Sequence, residues 1–197
     1  MKVKLEKTFA MPASAETAWG LLQDIESVAA CMPGAKITER IDDAHFKGTV
    51  SVKFGPASMS FRGEVEVRGI DQATRTLHLF GKGTDTTGSS GASMDLTARV
   101  EALDTAACNL VGASEVSMSG KAATFGGRMA GSVADQMLKQ FADNFSTQVQ
   151  ARQAQQSTAT AQPELPQPAT ATELNGLALV WAIIKDWLRS LFAAKKA

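Results

Sequence analysis

The chain has 197 residues, balances 20 lysines and arginines against 20 aspartates and glutamates, and is 44% apolar. Zero formal charge, with no basic cluster outside the last two dozen residues, argues against a nucleic-acid partner. The two cysteines, Cys31 and Cys108, stand far apart without any Cys/His spacing, so they read as buried, reduced thiols rather than a disulfide or a metal site.

Met1-Lys2-Val3-Lys4-Leu5-Glu6 places charges where a secretory signal needs an apolar stretch, so the chain is expected in the cytoplasm. Val3, Leu5 and Phe9, with charged residues between them, give a first strand. Pro12 to Trp19 then opens a helix, with Ser14 as its N-cap and Glu16 in its first turn. Trp19, Leu22 and Ile25 recur at three-residue steps and bury one edge. Asp24 and Glu26 are expected to terminate a helix, and Pro33-Gly34 closes the helical stretch.

From Ala35 to Ser119 the apolar period becomes two. Val50, Val52 and Phe54 alternate with polar residues, as do Met59, Phe61, Val65 and Val67, then Leu77 and Leu79, then Met94, Leu96, Ala98 and Val100. This pattern predicts an antiparallel meander with one dry and one wet face. Turns are expected at Gly55-Pro56, Gly69-Ile70-Asp71 and Asp104-Thr105. Gly81 to Gly91 is richer in glycine than a tight turn requires and reads as a bend or a mobile hairpin end. His45 and His78 are expected to face water, and Arg62, Glu64, Glu66 and Arg68 to form a solvated ladder. No Ser/His/Asp order, metal-ligand spacing or phosphate loop stands out, so no catalytic residue and no metal ligand is assigned.

After Gly120 the helical period returns through Phe125, Met129, Val133, Met137, Phe141, Phe145 and Val149. One long helix, apolar along a single stripe, is expected to cross the dry face. Gly126, Gly127 and Gly131 each cost up to about 1 kcal/mol against alanine, which points to a close backbone approach or a gap. Residues 1–150 are thus expected to form an α+β domain, a curved antiparallel sheet around a long C-terminal helix with a short helical pair after the first strand.

Residues 151–173, rich in Gln, Ala, Thr and Pro, cannot bury enough apolar surface to offset their ordering entropy and are expected to be a tether. Pro163, Pro166 and Pro168 stop a helix entering from either side. Residues 174–194 are amphipathic, with Leu174, Leu177, Trp181, Ile184, Leu188, Leu191 and Phe192 on one side and Asn175, Asp186, Arg189 and Ser190 on the other. The uninterrupted apolar run, Gly176 to Ile184, is nine residues, whereas a bilayer crossing needs about twenty. Lys185, Asp186 and Arg189 would each cost on the order of 3 kcal/mol at the hydrocarbon centre. A helix lying in the interface is therefore expected, with Trp181 and Trp187 at the headgroups and Lys185, Arg189, Lys195 and Lys196 facing anionic lipid. Two other readings stay open: a helix that docks on a partner or its own copy through the heptad step Leu174, Trp181, Leu188, Lys195, and a short span with a snorkelling Lys185.

Three segments together carry a family resemblance: Phe9-Ala10-Met11-Pro12-Ala13-Ser14 with Trp19, Ala29-Ala30-Cys31-Met32-Pro33-Gly34-Ala35, and Phe46-Lys47-Gly48-Thr49-Val50-Ser51-Val52-Lys53-Phe54-Gly55-Pro56. With Phe61-Arg62-Gly63 and Gly81-Lys82-Gly83 they resemble the carbon monoxide dehydrogenase CoxG family of the START-like (SRPBCC) superfamily over residues 1–150. The resemblance implies a helix-grip fold with a cavity between helix and sheet. It also implies a non-catalytic accessory that recruits a molybdenum hydroxylase of the carbon monoxide dehydrogenase type to the inner face of the cytoplasmic membrane. Such enzymes pass electrons to a membrane quinone, so the cavity is expected to bind and ferry a quinone or similar isoprenoid lipid, with no covalent cofactor. The residues expected to line it are Met32, Phe54, Met59, Phe61, Met94, Leu96, Met118, Phe125, Met129, Val133 and Met137, whose flexible thioethers accommodate a long chain. On the residues alone each of them reads first as a core gap-filler, and only the family's cavity favours the lining reading. A pure membrane adaptor without a ligand, and a cyclase- or hydrolase-like enzyme on the same fold, are the alternative readings.

Overall fold

A computed structural model describes residues 1–55 and 57–160, with side chains described except at 54, 57, 125–127 and 157–160. Strand β1 (Lys2–Met11) leads into helices α1 (Ala15–Leu22) and α2 (Ile25–Cys31). Strands β2 (Ala35–Arg40), β3 (His45–Phe54), β4 (Ala57–Asp71), β5 (Thr76–Asp85), β6 (Ser90–Ala102) and β7 (Cys108–Gly120) follow, then a 3-10 turn (Lys121–Phe125) and helix α3 (Gly126–Thr160).

The period-two stretch forms one seven-stranded antiparallel sheet in the order β1-β7-β6-β5-β4-β3-β2. Successive hairpins build it from β2 to β7, while α1 and α2 carry the chain from the β1 edge to the β2 edge, which leaves β1 to pair with β7, Met11 opposite Cys108. Directly paired residues share a face. The inner face therefore collects Leu5, Phe9 and Met11 of β1, Cys108, Leu110 and Val116 of β7, Leu96, Ala98 and Val100 of β6, Leu77 and Leu79 of β5, Val65 of β4 and Phe46 of β3. The outer face carries the expected solvated ladder, with Lys82 3.3 Å from Glu64, Arg68 3.4 Å from Asp95 and Lys47 3.0 Å from Glu39. Such exposed pairs contribute about 0–1 kcal/mol each. His45 and His78 are exposed, as the alternation predicts.

The sheet bends where glycine meets glycine. Gly63 lies opposite Gly83, and a Cβ at Gly63 would sit 2.0 Å from the Lys82 carbonyl oxygen and 2.7 Å from the Gly83 Cα. The stretch from Gly81 to Gly91 holds both the bend and a hairpin end, with most of its glycines inside strands. β5 continues through it to Asp85 and β6 resumes at Ser90, because the Asp85 carboxylate closes residues 86–89 into a turn. Its Oδ1 accepts from the Ser90 N–H at 2.7 Å, and its Oδ2 from the Thr87 hydroxyl at 2.5 Å and the Ser89 hydroxyl at 3.2 Å. Gly69-Ile70-Asp71 likewise belongs to β4 rather than to a turn; the turn begins after Asp71, whose Oδ1 accepts from the Ala73 and Thr74 N–H groups at 2.9 and 3.2 Å.

Ser14 caps α1 by accepting from the Thr17 N–H at 3.2 Å. Asp24, expected at a helix end, instead begins one: its Oδ1 accepts from the Ser27 N–H at 3.1 Å as the N-cap of α2. A carboxylate there satisfies a backbone donor that the first turn leaves unpaired.

Helix α3 has 35 residues and runs about 52 Å at 1.5 Å per residue. Ala142, Phe145 and Val149 bury into the core with Met11, Trp19, Leu21, Leu77, Val100 and Cys108. Each large apolar side chain sealed there contributes roughly 1.5–3 kcal/mol. The helix continues past residue 150 to Thr160, where composition predicts tether, because polar contacts hold it. Arg152 donates to Asp24 at 2.6 Å and Ser27 at 2.9 Å, Gln153 Oε1 accepts from the Ser14 N–H at 2.8 Å, and Gln156 Oε1 accepts from the Thr17 hydroxyl at 2.9 Å. Cys31 and Cys108 are free and buried, and burial pushes both thiols up. The rest of the tether and the amphipathic segment 174–194 lie outside the described residues; among the described residues no helix is long and apolar enough to cross a membrane.

Replacing Gly63 by alanine drives a methyl into backbone and is expected to cost about 2 kcal/mol or more in urea unfolding. Gly20→Ala, at an exposed position of α1 with nothing within 4 Å of the new carbon, is expected to stabilise by about 0.5–1 kcal/mol. Equal stability of the two variants would show that the β4–β5 approach is not tight.

Candidate ligand-binding site

Helix α3 seals only half of the inner face. Under its second half the core residues are closed to solvent, Phe145 and Val149 both 0% exposed. Along its first half Met129 is 43% exposed and Val133 and Met137 are half-buried. Beneath them Val3, Leu5, Val50, Val52, Met59, Met94, Val116 and Met118 of the inner face are also only half-buried. An apolar surface that is neither sealed nor fully exposed is what the wall of a hollow presents.

Small residues make the floor. Gly81, Gly83, Gly112, Ala92, Ala98 and Ser114 all take inner-face positions in the register. A Cβ on Gly112 would meet nothing within 4 Å, and one on Gly81 would touch the Met94 Cε at 3.9 Å, so Met94 lies over Gly81 while Gly112 opens onto empty space. Two polar ties hold this end of the helical segment. Lys7, on an inner-face position of β1, pairs with Asp135 at 2.9 Å, and the Ser90 hydroxyl accepts from the Ala122 N–H at 3.0 Å. Asp85 shares the inner-face register with Phe61, but its oxygens are engaged by Thr87, Ser89 and Ser90. What the arrangement offers chemically is apolar contact.

The residues expected to line a cavity fall as follows. Met59 and Phe61 on β4, Met94 and Leu96 on β6 and Met118 on β7 share the inner face, while Met129, Val133 and Met137 ride on α3. Phe61 is sealed at 7% exposure and Leu96 packs against the closed core, so these two serve the core as much as the hollow. Met32 is half-buried at the C-cap of α2. Phe54 ends β3 and Phe125 ends the 3-10 turn, with side chains outside those described. Sequence reasoning missed Gly112, Ser114, Val116 and the Lys7–Asp135 pair; the alternation of β7, paired in register with β1, is the signal that locates them. The residues expected to meet the membrane, Leu177, Trp181, Ile184, Lys185, Trp187, Leu188, Arg189, Leu191 and Phe192, lie outside the described residues.

Two polar clefts lie elsewhere. One of about 410 Å³ separates α2 from the edge strand β2, lined by Glu26, Ala30, Lys36, Ile37 and Arg40. The other, about 510 Å³, is lined mainly by outer-face residues, among them Lys4, Glu6, Phe80, Asp95 and Glu115, with Leu5 and Ser114 also at its wall. None of the residues expected to hold ligand lines either cleft.

A curved antiparallel sheet gripping a long C-terminal helix defines a START-like helix-grip protein, and solved structures agree. The chain is similar to a conserved protein from Geobacillus kaustophilus (TM-score 0.68, 18% identity, 76% of this chain and 96% of that one). It is also similar to the Zhui aromatase/cyclase from Streptomyces sp. R1128 (0.58, 16%, 77% and 96%) and to a START superfamily protein from Mycobacterium smegmatis (0.53, 17%, 75% and 97%). No curated protein sequence matches it. Residues 8–150 match the CoxG family, whose members are named for a subunit of carbon monoxide dehydrogenase, and the chain belongs to that family.

Hydrogen bonds from Thr87, Ser90 and Ser89 hold the Asp85 carboxyl below its ordinary value of 3.8. A depressed folded-state pKa gives stability that is full above the ordinary value and is lost as pH falls through the folded one. Wild type is expected to lose stability below about pH 4, whereas Asp85→Asn, weaker at neutral pH, falls less steeply. Parallel acid-unfolding curves would contradict the assignment.

Proposed function

We propose that this protein is the ligand-binding accessory of a molybdenum hydroxylase of the carbon monoxide dehydrogenase type. It takes a respiratory quinone, or a similar isoprenoid lipid, into the hollow under the first half of α3 and carries it between bilayer and enzyme. The observation that supports this most is the unequal grip of α3: sealed core at one end, and at the other a half-buried apolar wall around the empty space at Gly112. A flat ring fits over a floor of small residues, and the thioethers of Met94, Met118 and Met137 conform to a chain of isoprene units. The partner follows from the name of the family, which is that of a carbon monoxide dehydrogenase component. Segment 174–194 is proposed to keep the domain at the inner face of the cytoplasmic membrane.

The protein is read as a carrier and not as an enzyme. The aromatase/cyclase has the same fold, but reactions belong to sites and not to folds. Among the described residues of the sheet, the ionisable groups at inner-face positions, Lys7, Arg40 and Asp85, are engaged by Asp135, by Asp43 and by the β5–β6 turn.

Gly112→Leu sets its Cβ where no atom lies within 4 Å and sends the rest of the side chain into the proposed hollow. It is expected to lower quinone uptake from vesicles by about tenfold or more while leaving the unfolding transition unchanged or higher. Uptake unaffected by the leucine would remove the hollow as the site. A wild-type protein that extracts no isoprenoid at all would leave a membrane adaptor without cargo.

A further inference from the structure

We infer that the end of the domain carrying the β2–β3, β4–β5 and β6–β7 turns is its lipid-facing surface, which presses three apolar side chains, Ile41, Ile70 and Leu103, into the bilayer interface. The inference rests on the membrane reading just given and adds to it a second contact, made by the folded domain. Four large apolar side chains are exposed among the described residues, and these three, at 49%, 47% and 60%, account for all but Met129. In a meander of order β7-β6-β5-β4-β3-β2 alternate turns fall at one end of the sheet, and these residues sit in or beside three such turns. Neighbouring tips are two strands apart, so the row repeats every ~10 Å.

The last described turns of α3 lie at the same end. Gln153 and Gln156 of α3 bond Ser14 and Thr17 at the start of α1, just beyond Met11, which faces Cys108 beside the β6–β7 turn. Trp19 Nε1 donates to Gln72 Oε1 at 2.6 Å and ties α1 to the β4–β5 turn. The described part of α3 therefore ends on this side, and the amphipathic segment 174–194 follows it in sequence.

Charge at the tips sets the kind of contact. Asp42, Asp71 and Asp104 spend carboxylate oxygens on the N–H groups of Ala44, Ala73 and Ala106 at 2.8, 2.9 and 2.7 Å, while Asp43 pairs with Arg40 at 2.7 Å and Arg99 pairs with Glu101. Such an end has no surplus of positive charge to seek anionic headgroups. Its attraction to lipid is apolar insertion, insensitive to salt.

The test uses the full chain and vesicles of phosphatidylcholine with phosphatidylglycerol. Hydrogen exchange is expected to slow at residues 41–44, 70–75 and 103–107 when vesicles are added, and the combined variant Ile41→Ser, Ile70→Ser, Leu103→Ser is expected to partition about tenfold more weakly. The deficit should be the same at low and high salt. Leu103→Ser alone, at the most exposed position, reports in the same direction should the combined variant fail to fold. Protection confined to 174–192, with equal partition of variant and wild type, would overturn this surface and leave the tail as the anchor. Protection of the turns by the partner enzyme and not by vesicles would overturn it in favour of a protein contact. Failure of wild type to bind vesicles at all would overturn both this inference and the membrane reading.

Discussion

Everything in this domain depends on how α3 is held, tightly along one half and loosely along the other. The second half is pinned by polar ties to the helical pair, Asn144 to the Cys31 carbonyl at 2.8 Å, Arg152 to Asp24 at 2.6 Å, Gln153 to Ser14 and Gln156 to Thr17. Between those ties Phe145 and Val149 close the core against Met11, Trp19, Leu21 and Leu77. With one half fixed, the first half can stand over the sheet without filling it, because the fold's stability already resides at the other end. The residues beneath it are then free to be small, and several are: Gly81, Gly83, Gly112, Ala92 and Ser114.

The sheet takes part in the same division. The Gly63–Gly83 crossing lets β4 and β5 approach more closely than any side chain permits. The Asp85 turn anchors the start of the last helical segment, where the Lys121 N–H reaches the Ser89 carbonyl at 3.1 Å and the Ala122 N–H reaches the Ser90 hydroxyl. The proposed hollow would thus be framed by backbone curvature and one hydrogen-bonded turn, with apolar walls between them. That frame suits cargo recognised by shape and hydrophobicity, and an accessory protein that delivers such cargo needs no reacting groups of its own.

Much of this was legible in the residues. Period-two alternation from Ala35 to Ser119 marks the strands and their dry face, and the 3.6-residue stripe from Phe125 to Val149 marks α3. The features missed are those that period and propensity do not encode. Helix beyond residue 150 rests on Arg152, Gln153 and Gln156 finding polar partners a long way off in sequence, in a segment whose composition reads as tether. Asp24 looks like a helix end until its side chain is seen capping α2. The glycines from Gly81 to Gly91 look like a loop because a strand that tolerates them must be sharply curved, and curvature is a property of neighbouring strands. The proposed hollow is suggested in the sequence only through family resemblance, since Met94 or Met118 in a solid core would give the same local pattern; register across β7 adds that Gly112 takes an inner-face position with nothing within 4 Å of an added Cβ.

The central claim is that apolar cargo sits under the first half of α3 and nowhere in the sealed half. Methyl spectra of methionine-labelled full-length protein, titrated with an isoprenoid quinone, test it most directly. The account predicts that the methyls of Met94, Met118 and Met137 shift together while Met11, 2% exposed in the closed core, stays in place. Saturating quinone that moves none of the three, or that moves Met11 with them, would contradict it.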